Sequence, residues 1–118
     1  MRLDCQAAEE GNRMHAQLIT YTPSGIDNDR YMAEFVEPFT DYFVGLDSLV
    51  TKVWFGGPDT PEHGGFYVWK DKQSMDAFMT SPAAQDIMSR EYITELSSRD
   101  WPVNVSSSVR NRGLTDGL

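Results

Sequence analysis

The sequence is poor in the residues that staple small proteins or hold metal ions. Its 118 residues contain one cysteine, Cys5, and two histidines, His15 and His63. A single thiol cannot close an internal disulfide, and two separated histidines do not make a Cys/His zinc site. Basic residues are also scarce: ten Lys and Arg stand against eighteen Asp and Glu, a formal charge of −8. That balance excludes a nucleic-acid binder, whose affinity comes from Lys and Arg on phosphates, and disfavours binding to an anionic membrane surface. No apolar run approaches the roughly 20 residues of a membrane-spanning helix. The polar opening MRLDCQAAEEGNRM has no signal-peptide core. No phosphate loop, GxGxxG, GxSxG or metal-spaced carboxylate set is present. These absences lead to the expectation of a soluble cytoplasmic protein with no metal and no resident cofactor.

What is there reads as one domain over 14–113, between a leader over 1–13 and a polar tail over 114–118; a chain of this length buries a core without staples. His15 to Thr22 alternates as a strand, with Ala16, Leu18 and Thr20 on one face and His15, Gln17, Ile19 and Tyr21 on the other. Pro23-Ser24-Gly25 is a turn, and Asp27 or Asn28 caps a helix. That helix carries Tyr31, Met32, Phe35, Val36, Phe39, Tyr42 and Phe43 at helical spacing, with Pro38 inside as a kink and Gly45 as its stop. Leu49–Phe55 and Gly65–Trp69 form an antiparallel hairpin, and the pairs Gly56-Gly57 and Gly64-Gly65 read as its turn and bulge residues. Asp71 caps a second helix, and Ser81-Pro82 restarts it. Tyr92, Ile93 and Leu96 continue as a short helical turn, and a last strand covers Trp101–Val109.

The order βαββαβ predicts an α+β, ferredoxin-like fold: a four-stranded antiparallel sheet with helices on one face. Whichever parity points at the helices, the other face keeps apolar groups such as Trp54, Phe66 and Val68, so two sheets are expected to pack face to face in a homodimer.

The unusual content is aromatic. Trp54, Tyr67, Trp69, Phe78 and Trp101 fall on or beside the sheet, and Tyr42 and Phe43 end the first helix. Of these, Trp54, Tyr67, Trp69, Phe78 and Tyr42 are the candidates for binding a flat aromatic small molecule, and the plain alternative is that they fill the core. Lys52 shares the parity of Trp54. On an edge it would be a solvated strand lysine, and in an aromatic cavity it would bind a phenolate or exchange a proton. His15 and Tyr21 share a strand face and are read as a pair placed to meet one ligand, with His15 as a possible base. His63 reads as an exposed loop residue, and Arg99-Asp100 as a structural pair.

Residues 49–113 resemble the YdhR mono-oxygenase family of the dimeric α+β-barrel superfamily. The resemblance rests on Lys52-x-Trp54, Gly64-Gly65-Phe66-Tyr67-Val68-Trp69, Ser74-Met75-x-Ala77-Phe78-x-x-Ser81, Ser98-Arg99-Asp100-Trp101-x-Val103 and Arg112-Gly113. It implies a dimeric α+β barrel and oxidation of small aromatic or polyketide-type molecules. Relatives in that superfamily include cofactor-independent oxygenases, polyketide cyclases, lactone isomerases and haem-binding enzymes, so the fold alone does not choose among them. The expected function is a cofactor-independent mono-oxygenase with molecular oxygen as co-substrate. Lys52, His15 and Tyr21 are its catalytic candidates, and Trp54, Tyr67, Trp69, Phe78 and Tyr42 its substrate walls. A cyclase or isomerase, or a non-catalytic small-molecule-binding dimer, is the alternative.

Overall fold

The alternation in the first strand decides which face of the sheet is inside. In the computed structural model, which describes residues 13–114, strand β1 (His15–Pro23) buries His15, Gln17, Ile19 and Tyr21 beneath the helices, while Leu18 and Thr20 on the other face are partly covered. Strands β2 (Leu49–Phe55), β3 (His63–Trp69) and β4 (Ile93–Pro102) complete an antiparallel sheet of order β2-β3-β1-β4. The register sets Gln17 opposite Tyr67 and Tyr67 opposite Lys52, so these three share a row across the inner face. Trp54 lies opposite Gly65 on that same inner face, which leaves Phe66 and Val68 on the outer one.

Helix α1 occupies 28–44 in three pieces: Asn28–Tyr31, a π-helical segment Met32–Val36, and Glu37–Val44. The Asp27 side chain caps it by accepting from Arg30 N–H at 2.8 Å. The irregularity falls just before Pro38, which has no N–H to offer the Glu34 carbonyl; Arg90 Nη1 donates to that oxygen instead at 3.1 Å. The expected kink is therefore a wide turn that keeps Phe35, Phe39 and Phe43 on the sheet.

Helices α2 (Lys72–Met79) and α3 (Pro82–Ser89) start at the two expected caps. Asp71 Oδ1 accepts from Ser74 N–H at 2.8 Å and from Ser74 Oγ at 2.7 Å. These bonds, the hydroxyl first, hold the Asp71 carboxyl below its ordinary range. Asp71→Ala is expected to lower stability by about 1 kcal/mol, read as a shift in the urea midpoint at unchanged slope. The part of the loss that comes from the carboxylate's charge should vanish in acid, where Asp71 is protonated in both the folded and the unfolded wild type.

The last part of the chain departs from expectation. Tyr92, Ile93 and Leu96 are not a helical turn: strand β4 begins at Ile93 and runs to Pro102. Its register with β1 slips between Thr20 and Thr22, where Glu95 takes a φ of +55°. This bulge sends Ile93 and Leu96 to the same face three residues apart and so mimics a helical period. The strand expected over Trp101–Val109 stops at Pro102. Asn104 caps a short helix α4 (Val105–Arg110), accepting from Ser107 N–H at 3.1 Å. Gly64 and Gly65 are strand residues, not turn residues.

Outside the sheet, Leu114, assigned above to the tail, is buried near Ala16, Phe66 and Val68. Val53, Phe66 and Trp101 stay exposed there. The leader over 1–12 and the tail over 115–118 lie outside the described residues. Among the described residues, no helix is long and apolar enough to cross a membrane.

Candidate functional site

The inner face carries a continuous aromatic cluster with one cation in it. Lys52 Nζ lies 3.3 Å from the centroid of Trp54, 4.3 Å from Phe43 and 4.5 Å from Tyr67. Among the described residues, it is the only buried side-chain nitrogen or oxygen without a hydrogen-bond partner. Strand periodicity puts Lys52 and Trp54 on one face, and α1 lays Phe43 over them. The room for the ammonium comes from Gly65: a Cβ there would stand 2.6 Å from Lys52 Cε and 3.0 Å from Nζ.

Burial without an acceptor pushes the Lys52 ammonium from 10.5 down to about 7. The ring faces pull the other way, by roughly 0.5–2 kcal/mol for a desolvated cation. Burial, and secondarily the neighbouring Tyr31 phenol, pushes Tyr67 above the ordinary tyrosine range, so its hydroxyl stays protonated.

Tyr67 stacks on Trp69 with centroids 5.7 Å apart, and Phe78 stacks on Trp69 at 5.3 Å. Tyr42 reaches Phe78 at 6.5 Å. Lys52, Trp54, Tyr67, Trp69, Phe78 and Tyr42 are therefore brought together, as read from the sequence. The space between sheet and helices is filled by these rings themselves. The open space lies at the edge, a cleft of about 300 Å³ between the end of α1 and β2, lined by Phe43, Val44, Leu46, Leu49, Lys52 and Trp54 among others.

His15 and Tyr21 are not brought together. They share a face but sit six positions apart on one strand, about 20 Å at ~3.3 Å per residue. His15 Nε2 meets Asp100 Oδ2 at 2.5 Å. Tyr21 shares a 2.6 Å hydrogen bond with Tyr31, and burial first, then the nearby Tyr31, raises its pKa. His63 is buried, not exposed: its ring stands edge-on to Tyr31 at 5.2 Å. It lines a second open cleft of about 290 Å³ with Asn28, Tyr31 and the loop over 57–61. Arg99 and Asp100 point apart, Asp100 to His15 and Arg99 over Trp101.

Sequence reading also missed Gln17, which is 1% exposed. It accepts from Trp69 Nε1 at 3.0 Å and donates to Ser98 Oγ at 3.0 Å and Met79 Sδ at 3.2 Å, so it fixes the Trp69 ring. Its signal was the inward parity of a polar residue between His15 and Ile19. Among the described residues, no three His, Cys, Asp or Glu side chains converge as a metal site.

Comparison with known proteins places this geometry. The family model described as "Putative mono-oxygenase ydhR" matches residues 19–114. No curated protein matches the chain. A "putative Antibiotic biosynthesis monooxygenase" from Chloroflexus aurantiacus J-10-fl superposes with a TM-score of 0.56 at 19% identity, covering 76% of this chain and 92% of its own. SnoaB from Streptomyces nogalater, described as a cofactor-independent oxygenase, superposes with a TM-score of 0.62 at 11% identity, covering 78% of this chain and 94% of its own. At these identities the two structures share the fold alone. The family match begins at Ile19 within β1, runs through the helices and the other three strands, and includes Lys52 and Tyr67; on it the chain belongs to the ydhR mono-oxygenase family.

Proposed function

We propose that the protein is a cofactor-independent mono-oxygenase acting on a small aromatic or polyketide-type molecule with an acidic phenol or enol. The observation that carries this reading is Lys52, a buried amine with no acceptor, caged by rings and bordering an open cleft. Family membership and the likeness in fold to SnoaB, a cofactor-independent oxygenase, support it.

In this reading the substrate enters along the cleft and lays its ring against Phe43 and Trp54. Neutral Lys52 takes the acidic proton, and the ammonium so formed stays beside the substrate anion, now paired with an opposite charge. The electron-rich anion passes an electron to molecular oxygen, and the two radicals combine at carbon to give a peroxide. Loss of water leaves a carbonyl: one methylene plus one O2 gives one C=O plus one H2O. Tyr67, protonated, is a donor for the developing oxyanion. Tyr67, Trp69, Phe78 and Tyr42 supply the rigid wall behind the reacting ring. His15, engaged by Asp100, takes no part in the step, and Tyr21 stays with Tyr31.

The working unit in this proposal is a cytoplasmic homodimer. Its support is the outer sheet face, where Phe66 is 37%, Trp101 40% and Val53 50% exposed. Incubating the purified protein with an anthrone should consume one O2 for each anthraquinone formed. Oxygen uptake no faster than the uncatalysed rate across a panel of such substrates would overturn the proposal.

A further inference from the structure

The cage and the cleft together allow a chemistry that needs no oxygen. We propose that Lys52 is a carbonyl-condensing lysine, which captures a hydrophobic aldehyde or ketone seated in the α1–β2 cleft as a covalent imine. The inference shares its lysine with the function proposed above but does not depend on it.

Three features of the site argue for this. Lys52 Nζ has no hydrogen-bond partner among the described residues, so its lone pair, once the proton leaves, is not tied up by a donor. The groups facing Nζ are the Phe43 ring from α1, the Trp54 ring from β2 and the Tyr67 ring from β3; among the described residues no carboxylate pairs with it. The Lys52 side chain lines an open cleft whose walls include the apolar Val44, Leu46 and Leu49 beside Thr40 and Thr51. Such walls take the hydrocarbon body of a carbonyl compound and leave its polar end at the lysine.

The step balances without an external oxidant or reductant. The neutral amine attacks the carbonyl carbon, and a proton passes from nitrogen to oxygen to give a carbinolamine. Loss of one water leaves C=N. The imine is the more basic partner of the released water, and protonation gives an iminium cation. The ring faces that now surround the ammonium also suit that cation, because their quadrupoles favour positive charge whichever nitrogen species carries it. The reaction is reversible by water, as a substrate-holding step requires.

The chain offers its own internal standards, since its other two lysines are Lys70 and Lys72. Both are exposed, and Lys72 is engaged by Asp76 at 3.2 Å. The full chain is treated with limiting benzaldehyde and cyanoborohydride at neutral pH, without oxygen, and the reduced benzyl adducts are mapped by peptide mass spectrometry. Lys52 should be labelled on the order of tenfold or more ahead of Lys70 and Lys72, and an aromatic 1,3-diketone should block that label by forming an enaminone. Labelling of Lys70 and Lys72 at the rate of Lys52 or faster, in folded protein, overturns the inference. Lys52→Arg keeps a cation in the cage and cannot condense, so its mapped label should vanish; if that variant does not fold, the wild-type ratio decides alone. Labelling without oxygen uptake would leave this inference standing and remove the oxygenase reading, and uptake without labelling would do the reverse.

Discussion

Lys52→Met should abolish catalysis and stabilise the protein at once. Loss of a positioned acid–base group lowers turnover by roughly 10²–10⁴-fold, read as oxygen uptake with an anthrone. The gain in stability follows from the same burial. A lysine whose proton is held at about 7 in the fold and at 10.5 when unfolded opposes folding wherever the unfolded chain carries the proton. Below pH about 7 the proton is bound in both states and the whole penalty applies. Between about 7 and 10.5 the unfolded chain binds more protons, so stability climbs with pH. Above 10.5 the penalty is gone. Net of the ring contacts, it is on the order of 2–5 kcal/mol at neutral pH.

Methionine fills similar volume without charge, and the variant should be more stable by about 1–4 kcal/mol near neutrality. The gain should shrink toward zero near pH 10. The buried phenols of Tyr21, Tyr31 and Tyr67, all raised by burial first, work in the opposite sense: they stabilise below the unfolded tyrosine range and cost stability as pH rises through it. Both proteins carry them, so the difference between the two urea curves isolates Lys52. A variant that melts with or below the wild type at neutral pH, and still consumes oxygen at the wild-type rate, would show that Lys52 is neither strained nor catalytic.

Why this lysine could be found from sequence, and its neighbours only in part, has a physical explanation. Strand parity is strict, so Lys52-x-Trp54 and Tyr67-x-Trp69 announce that each pair shares a face; the pattern could not say that β2 and β3 align Lys52 with Tyr67. Helix caps are local, and Asp27, Asp71 and Ser81 were legible for that reason. The β4 bulge was not, because one inserted residue puts Ile93 and Leu96 at a helical interval in a strand. His15 and Tyr21 share a parity but not a place, since a face pattern carries no distance along the strand. Gln17 and the Tyr21–Tyr31 bond depend on what crosses from another strand or from α1. No local signal encodes such partners.

The neighbouring glycines Gly64 and Gly65 should fail in different ways when each is given a methyl group. At Gly64 the added Cβ would stand 2.0 Å from the Ile19 carbonyl oxygen and 2.8 Å from Phe55 Cζ. The oxygen belongs to the backbone of the central strand and cannot rotate away, so relief requires parting β1 from β3 and breaking ladder bonds in the middle of the sheet. Gly64→Ala should therefore lose about 4 kcal/mol or more, a large share of a typical total of about 5–15 kcal/mol. At Gly65 the added Cβ meets the end of the Lys52 side chain, at 2.6 Å from Cε, and Tyr67 Cε1 at 3.2 Å. A lysine terminus can swing into the cleft and shed the cost of its buried charge, and alanine suits a strand slightly better than glycine. Gly65→Ala should therefore lose no more than about 1 kcal/mol, and gain stability where that release dominates. What should change is the lysine. Moved toward water it regains its proton at neutral pH, and oxygen uptake should fall by on the order of tenfold to a hundredfold. Raising the pH should restore part of that loss in Gly65→Ala, by emptying the same proton. Equal urea midpoints for Gly64→Ala and Gly65→Ala would refute the backbone contact, and full neutral-pH activity in Gly65→Ala would refute the role of the gap that houses Lys52.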